Sequence, residues 1–237
     1  MTSALVPPVS ARSAILSLLL GAHPPELTTA EIVAAMGLVG KPESTVRVAL
    51  SRMANGDDLV RTETGYRLSD RLVARQRAVE PPAQRRWRGT WEMAIVTTTG
   101  RSAADRTALR AEMMRLRMAE LREGVWIRPA NLARDWPEHL RAVTTRFEAT
   151  PADDSTELAR RLWDLDEWAE RAHWYLDALA AAADDQPTRF VTMVAAVRHL
   201  QTDPLLPAEL LPADWPGDSL TTVYADYRRW LRDMRPS

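Results

Sequence analysis

The chain has 237 residues, 46% of them hydrophobic, with nine tryptophans and a formal net charge of -1, apolar material enough for two or three cored domains. It has no cysteine, which excludes disulfides, thiol nucleophiles and Cys-ligated zinc, and no apolar run approaches the length of a membrane span, so a reducing, cytoplasmic location is expected. The charge is unevenly spread: nine basic and eight acidic residues over 1–80, 13 and seven over 81–146, nine and 17 over 147–237.

Met1–Val9 carries neither a basic region nor a cleavage site and reads as a tail rather than a signal peptide. Ser10 is placed to cap a helix over Ala11–Leu20, ended by Pro24-Pro25. Thr28–Met36 has the pattern of a short apolar helix, Gly37–Gly40 of a turn, and Lys41–Met53 of a second helix. Asp57–Leu68 reads as two short strands around a tight turn. Helix, turn, helix and hairpin in that order predict a winged helix-turn-helix, and hence double-stranded DNA as partner.

The second helix places Val46, Ala49, Leu50 and Met53 on one side and leaves Glu43, Ser44, Arg47, Ser51 and Arg52 on the other. A recognition helix needs an apolar back and a short polar front. Arg47 is the leading base reader, because a guanidinium grips guanine through two hydrogen bonds. Ser44, Thr45 and Ser51 are candidates for bases or phosphates, and Lys41 and Arg52, near the helix ends, for phosphates. The wing offers Arg61, Thr64 and Arg67 to the backbone, while Tyr66 either packs on the domain or touches DNA. Taken alone, such a face is also what any solvated amphipathic helix shows. The helix, turn and hairpin around it tip the reading towards DNA.

Ser69 is placed to cap a polar connector helix, Asp70–Val79, before Pro81-Pro82, which closes a first domain over 1–80. Trp87–Thr97 predicts a strand, Ser102–Arg122 a long helix, Gly124–Arg128 a strand closed by Pro129, and Leu140–Phe147 another strand. That order over 81–150 predicts a small ferredoxin-like α/β sandwich. Ser155–Ala183 reads as one helix with Leu158, Leu162, Leu165, Trp168 and Tyr175 on its apolar side, broken at Gln186-Pro187. Arg189–Gln201 and Ser219–Met234 are further helices around a proline-punctuated segment, Asp203–Gly217, in which Leu-Leu-Pro occurs twice. Residues 151–237 are therefore expected to form a helical C-terminal domain, and the fold class is α+β.

Three stretches of this sequence carry a family resemblance: Val46–Met53; Trp87–Trp91 with Gly124–Pro129; and Leu162–Leu165 followed by Asp203–Gly217. On these the chain resembles, from about residue 11 to 234, the PaaX family of transcriptional regulators, the phenylacetate-catabolism repressors. The resemblance implies a winged helix, a Cas2-like middle domain of ferredoxin-like fold and a helical C-terminal domain. It implies a homodimer on a palindromic operator that represses catabolic genes and is released by an acyl-CoA effector, phenylacetyl-CoA in the namesake members. A pocket for an aromatic acyl group would want aromatic side chains, with arginines at its mouth for the CoA phosphates. Trp126, Arg128, Trp163, His173, Trp174, Arg189, Arg198 and His199 are the candidates. Against this, Trp163 and Trp174 would equally serve as packing, and the rear domains would equally serve dimerisation or partner recruitment in an effector-independent DNA-binding protein.

Cas2-like domains can be metal-dependent nucleases, which need a carboxylate at the end of the first strand. Here Trp91–Thr97 runs into Thr98-Thr99-Gly100, and Asp105 belongs to the next helix, so hard-cation ligands are missing where they are needed. Asp153-Asp154, Asp164 with Asp166, and Asp184-Asp185 read as solvated pairs. His23, His139, His173 and His199 show no ligand spacing. No catalytic residue, metal or cofactor is expected, and the protein is read as a regulator and not an enzyme.

Overall fold

The computed structural model describes residues 9–22, 25–77 and 82–233. The tail before Val9, His23, Pro24, residues 78–79 of the predicted connector helix, Pro81 and Met234 lie outside the described residues. The chain forms two compact units, one of residues 1–80, 169–202 and 216–237, the other of 81–168 and 203–215.

In the first unit, α1 (Ala11–Gly21) starts at Ser10, whose hydroxyl accepts from the Ser13 amide at 3.2 Å, as the sequence predicted. It buries Ala14, Ile15, Leu18 and Leu19. A short strand that sequence patterning did not predict, β1 (Glu26–Thr28), leads into α2 (Thr29–Leu38). Thr28 does two things at once. It ends β1, and it caps α2 in a reciprocal box: its hydroxyl accepts from the Glu31 amide at 3.1 Å, and the Glu31 carboxylate accepts from the Thr28 amide at 2.7 Å. After the turn comes α3 (Glu43–Asn55), whose Val46, Leu50 and Met53 are buried. Then β2 (Leu59–Arg61) and β3 (Gly65–Leu68) form the wing hairpin, and β1 pairs antiparallel with β3 to give the order β1-β3-β2. Gly65 is required by closeness: a Cβ there would lie 2.0 Å from the Leu27 carbonyl oxygen. Ser69 caps α4 (Asp70–Arg77), its hydroxyl accepting from the Leu72 amide at 3.3 Å.

The second unit is built on β4 (Ala83–Gln84), β5 (Trp91–Val96), α5 (Ala103–Arg115), β6 (Ala119–Arg122), β7 (Val125–Pro129), β8 (Leu132–Ala133), α6 (Glu138–Arg141) and β9 (Thr144–Ala149). Its main sheet has the order β6-β7-β5-β9 with every pairing antiparallel, while β4 pairs with β8. This is the split βαβ order of a ferredoxin-like fold. Alternation along β5 and β7 sends Ala94 and Trp126 to a core with Leu109 and Met113 of α5, and Trp91 and Ile127 to a core on the opposite face. That opposite face is closed by Leu158 and Ala159 of α7 (Ser155–Leu162) and by Leu206 and Leu210 of the proline-punctuated segment.

Three expectations need correction. The predicted helix over Ser102–Arg122 ends at Arg115; Arg117 adopts φ 60 and turns the chain, so 119–122 form β6. Leu116 and Leu121 mimicked a continuing helical stripe, but Leu121 is 39% exposed on an edge strand. The strand predicted over Leu140–Phe147 starts as the single turn α6, which buries Leu140, and only then becomes β9. The long helix over Ser155–Ala183 is two: Trp163 is extended (φ -128, ψ 135), and Asp164 restarts the chain as α8 (Leu165–Ala181) by accepting from the Glu167 amide at 3.0 Å. The last helices are α9 (Gln186–Leu200), with Pro187 in its first turn where no amide is needed, and α10 (Gly217–Asp233). The last third divides between the units: α9, α10 and most of α8 belong with the winged helix, where α10 packs on α9 and α1.

Candidate nucleic-acid interface

The solvent face of α3 is fixed by its buried back. Taking about 100° per residue, the side opposite Val46, Leu50 and Met53 is centred on Ser44, Val48 and Asn55, all exposed. Arg47 lies about 80° to one side of that centre and Arg52 about 60° to the other; both are exposed. Arg47 Nε donates to the Glu43 carboxylate one turn earlier at 2.7 Å, an exposed helical pair worth a few tenths of a kcal/mol, about 0.3–0.5, and therefore easily exchanged for another acceptor. Thr45 is exposed, and Ser51 and Lys41 are half-buried. Sequence reasoning overlooked Val48, which is 51% exposed in the middle of this face. The signal was available: position 48 falls outside the apolar set 46, 49, 50 and 53.

Sharing Ser44 and Val48 with this face, a groove of about 560 Å³ runs between Ala11 and Arg12 of α1 and Ser44, Thr45, Val48, Ala49, Arg52 and Met53 of α3. Asp58 forms one wall, holding Arg12 at 2.7 Å and Arg71 at 3.1 Å. On the wing, Arg61 and Thr64 are exposed. Arg67 is braced at the base, donating to the Leu68 carbonyl at 3.2 Å and to Asp70 at 2.9 Å. The Thr64 carbonyl accepts from the Thr29 amide at 3.3 Å, which ties the wing to the start of α2.

The eight residues read as an effector set fall in both units. In the winged-helix unit, Trp174 and His199 meet on Tyr175, with ring centroids 5.2 and 5.5 Å away. Burial raises the Tyr175 pKa above its ordinary value. Arg198 donates to the Ser13 hydroxyl of α1 at 3.0 Å, and Arg189 lies over the Tyr227 ring at 5.6 Å. Arg189 and His199 sit on one helix about 15 Å apart, so they do not share one small site; His173 is exposed on α8.

In the sheet unit, Trp163 packs against Trp91 (6.3 Å, tilted), and Trp126 is 3% exposed beneath Arg110. Arg128 is wholly buried and sits opposite Glu92 across β5 and β7. Its guanidinium donates to the carbonyls of Pro129, Arg117, Pro204 and Leu205 and to Asn131 Oδ1. Glu92 lies 3.5 Å from it and 2.8 Å from Arg134. Burial, with the positive charge of Arg134, lowers the Arg128 pKa to about 9, which still leaves a cation at neutral pH. Arg128 therefore pins the proline-punctuated segment to the sheet instead of standing at a pocket mouth. Where β5 ends, Thr97–Thr99 follow, and Asp105 caps α5 through Ser102, whose hydroxyl and amide lower its pKa.

Together the fold and the face of α3 define a winged helix-turn-helix protein with a ferredoxin-like body. Comparison with known families matches "PaaX-like protein" over residues 10–72, "PaaX protein central Cas2-like domain" over 84–157 and "PaaX-like protein C-terminal domain" over 163–235. The chain belongs to the PaaX family, a family of transcriptional regulators. A solved structure described as "Uncharacterized protein Rv0674 from Mycobacterium tuberculosis" is 49% identical, with a TM-score of 0.83 over 94% of this chain and 95% of that one. No curated protein matches the chain. Among the described residues, no helix is long and apolar enough to cross a membrane.

Proposed function

We propose that the protein is a cytoplasmic DNA-binding repressor of catabolic genes, acting as a homodimer on a palindromic operator and released by an acyl-CoA such as phenylacetyl-CoA. The observation that carries this reading is the polar, cation-flanked solvent face of α3 on a winged-helix core, in a chain of a regulator family. Ser44, Thr45, Arg47 and Ser51 face bases and nearby phosphates; Lys41, Arg52, Arg61, Thr64 and Arg67 take the backbone. A dimer is favoured because one recognition helix contacts too few bases to select a site, and two-fold symmetry doubles the set.

Release by an effector is supported by the helices α9 and α10, which pack in the same unit as α1, and by the Arg198–Ser13 hydrogen bond. An acyl-CoA held by Trp174, His199 and Arg198 would act on the DNA-binding domain through α1. A second reading, an effector-independent DNA-binding protein, is favoured by Arg128 and Trp126, whose surfaces are already spent inside the protein.

The deciding experiment is fluorescence anisotropy on duplex DNA from just upstream of the chain's own gene, with phenylacetyl-CoA, free phenylacetate or CoA added. Tight binding abolished by the thioester alone is the expected result. Binding indifferent to all three would favour the second reading, and no binding to this or any selected duplex would overturn both.

A further inference from the structure

We propose that Val48 is a base-reading residue that selects the 5-methyl group of thymine in the major groove. The inference rests on the DNA-binding reading above and adds base identity to it. Val48 stands at the centre of the solvent face of α3 and is 51% exposed, although it lies in a well-formed helix. A β-branched residue there is a poorer helix former than alanine and leaves apolar surface in water. The domain gains little packing from it, since the core contacts of α3 are made by Val46, Leu50 and Met53.

Its neighbours one turn away are Ser44, Thr45, Ser51 and Arg52, each able to hydrogen-bond. Within α3, Val48 is thus an apolar group whose neighbours one turn away all hydrogen-bond, at the centre of the face proposed to enter the major groove; on one side it also borders the cleft beside α1, with Ala11, Ala49 and Met53. Of the groups that base pairs present in the major groove, the thymine methyl is the apolar one, and it is absent from the other three bases. Valine suits this contact because its χ1 is restricted, so its two methyls project in a fixed direction at little entropic cost. The flanking cations hold the helix in register. Arg52 lies on the side of the α1 cleft and Arg47, held by Glu43, on the other, so a phosphate on one side and a neighbouring base edge on the other have partners while Val48 meets the thymine.

The test uses the full chain to enrich binding sequences from a randomised duplex library. The best duplex is then made with deoxyuridine for thymidine, one position at a time, and titrated with the parent, Val48→Ala and Val48→Ile. Uracil keeps the pairing edge and lacks only the methyl group. The expected result is one symmetry-related thymine position at which uracil weakens the parent about fourfold per half-site, the worth of one buried methyl group. Val48→Ala should bind both duplexes alike, with the parent's affinity for the uracil form, and Val48→Ile should keep the discrimination. A uracil effect of equal size in parent and Val48→Ala, or no such position, would overturn the proposal while leaving DNA binding intact; Val48 would then belong to a protein contact. Failure to enrich any sequence would overturn the DNA-binding reading itself.

Discussion

Arg128 shows how far a single side chain can depart from what its type announces. An arginine between aromatic and proline residues reads as a phosphate ligand, yet here four carbonyls and Asn131 take its donors, and Glu92 and Arg134 complete the buried charge. Breaking such a set from one side leaves four carbonyls and Asn131 without this donor and Glu92 with Arg134 alone. Arg128→Met should therefore cost about 3–5 kcal/mol in urea unfolding. Stability unchanged, with acyl-CoA binding lost, would instead make it a ligand residue. Thr28 offers a smaller case, because one hydroxyl supports the entry to α2. Thr28→Ala should lose about 1 kcal/mol, and Thr28→Ser should restore most of it in the same measurement.

Among the elements, the wing is coupled to the helix pair through β1. That strand of three residues pairs with β3 and brings the Leu27 carbonyl against Gly65. Gly65→Ala cannot be accommodated without moving β1 from β3, so it should lower DNA affinity through the wing even though residue 65 makes no base contact. Equal affinity for parent and variant would show that the wing's position is irrelevant to binding. At this scale the sequence was informative about helix starts, since Ser10 and Ser69 cap as their residue types predict. It was poor at helix ends. The turn at Arg117 and the restart at Asp164 interrupt apolar stripes that looked continuous, because a periodic pattern carries no mark for one left-handed or extended residue inside it.

For the whole molecule, the prediction is one of coupling. If the proposed effector acts through α9 on α1, Ser13→Ala should leave the acyl-CoA affinity of the free protein unchanged and shrink the effect of phenylacetyl-CoA on DNA binding, by reciprocity in both directions. An undiminished effect would remove the Arg198–Ser13 contact from the route. DNA binding itself should weaken with salt, the logarithmic slope falling by about 1 for each phosphate contact removed, as in Arg52→Ala or Arg61→Ala. A slope unchanged by either variant would place those arginines off the backbone.

Local rules determined the winged-helix order, the polar front of α3, most helix starts and the ferredoxin-like arrangement, since capping, periodicity and turn chemistry act over a few residues. The family, too, was legible in short motifs, above all the proline-punctuated segment. What only the tertiary structure decided was where that segment and the last helices go. Asp203–Trp215 lies on the sheet, held by Arg128, while α9 and α10 return to α1. Such choices are made between surfaces far apart in sequence, where an apolar stripe shows that a helix will be buried but not against what. The same holds for residues whose exposure runs against their type: exposure at apolar Val48 and burial at charged Arg128 were set by the surfaces that did or did not come to cover them.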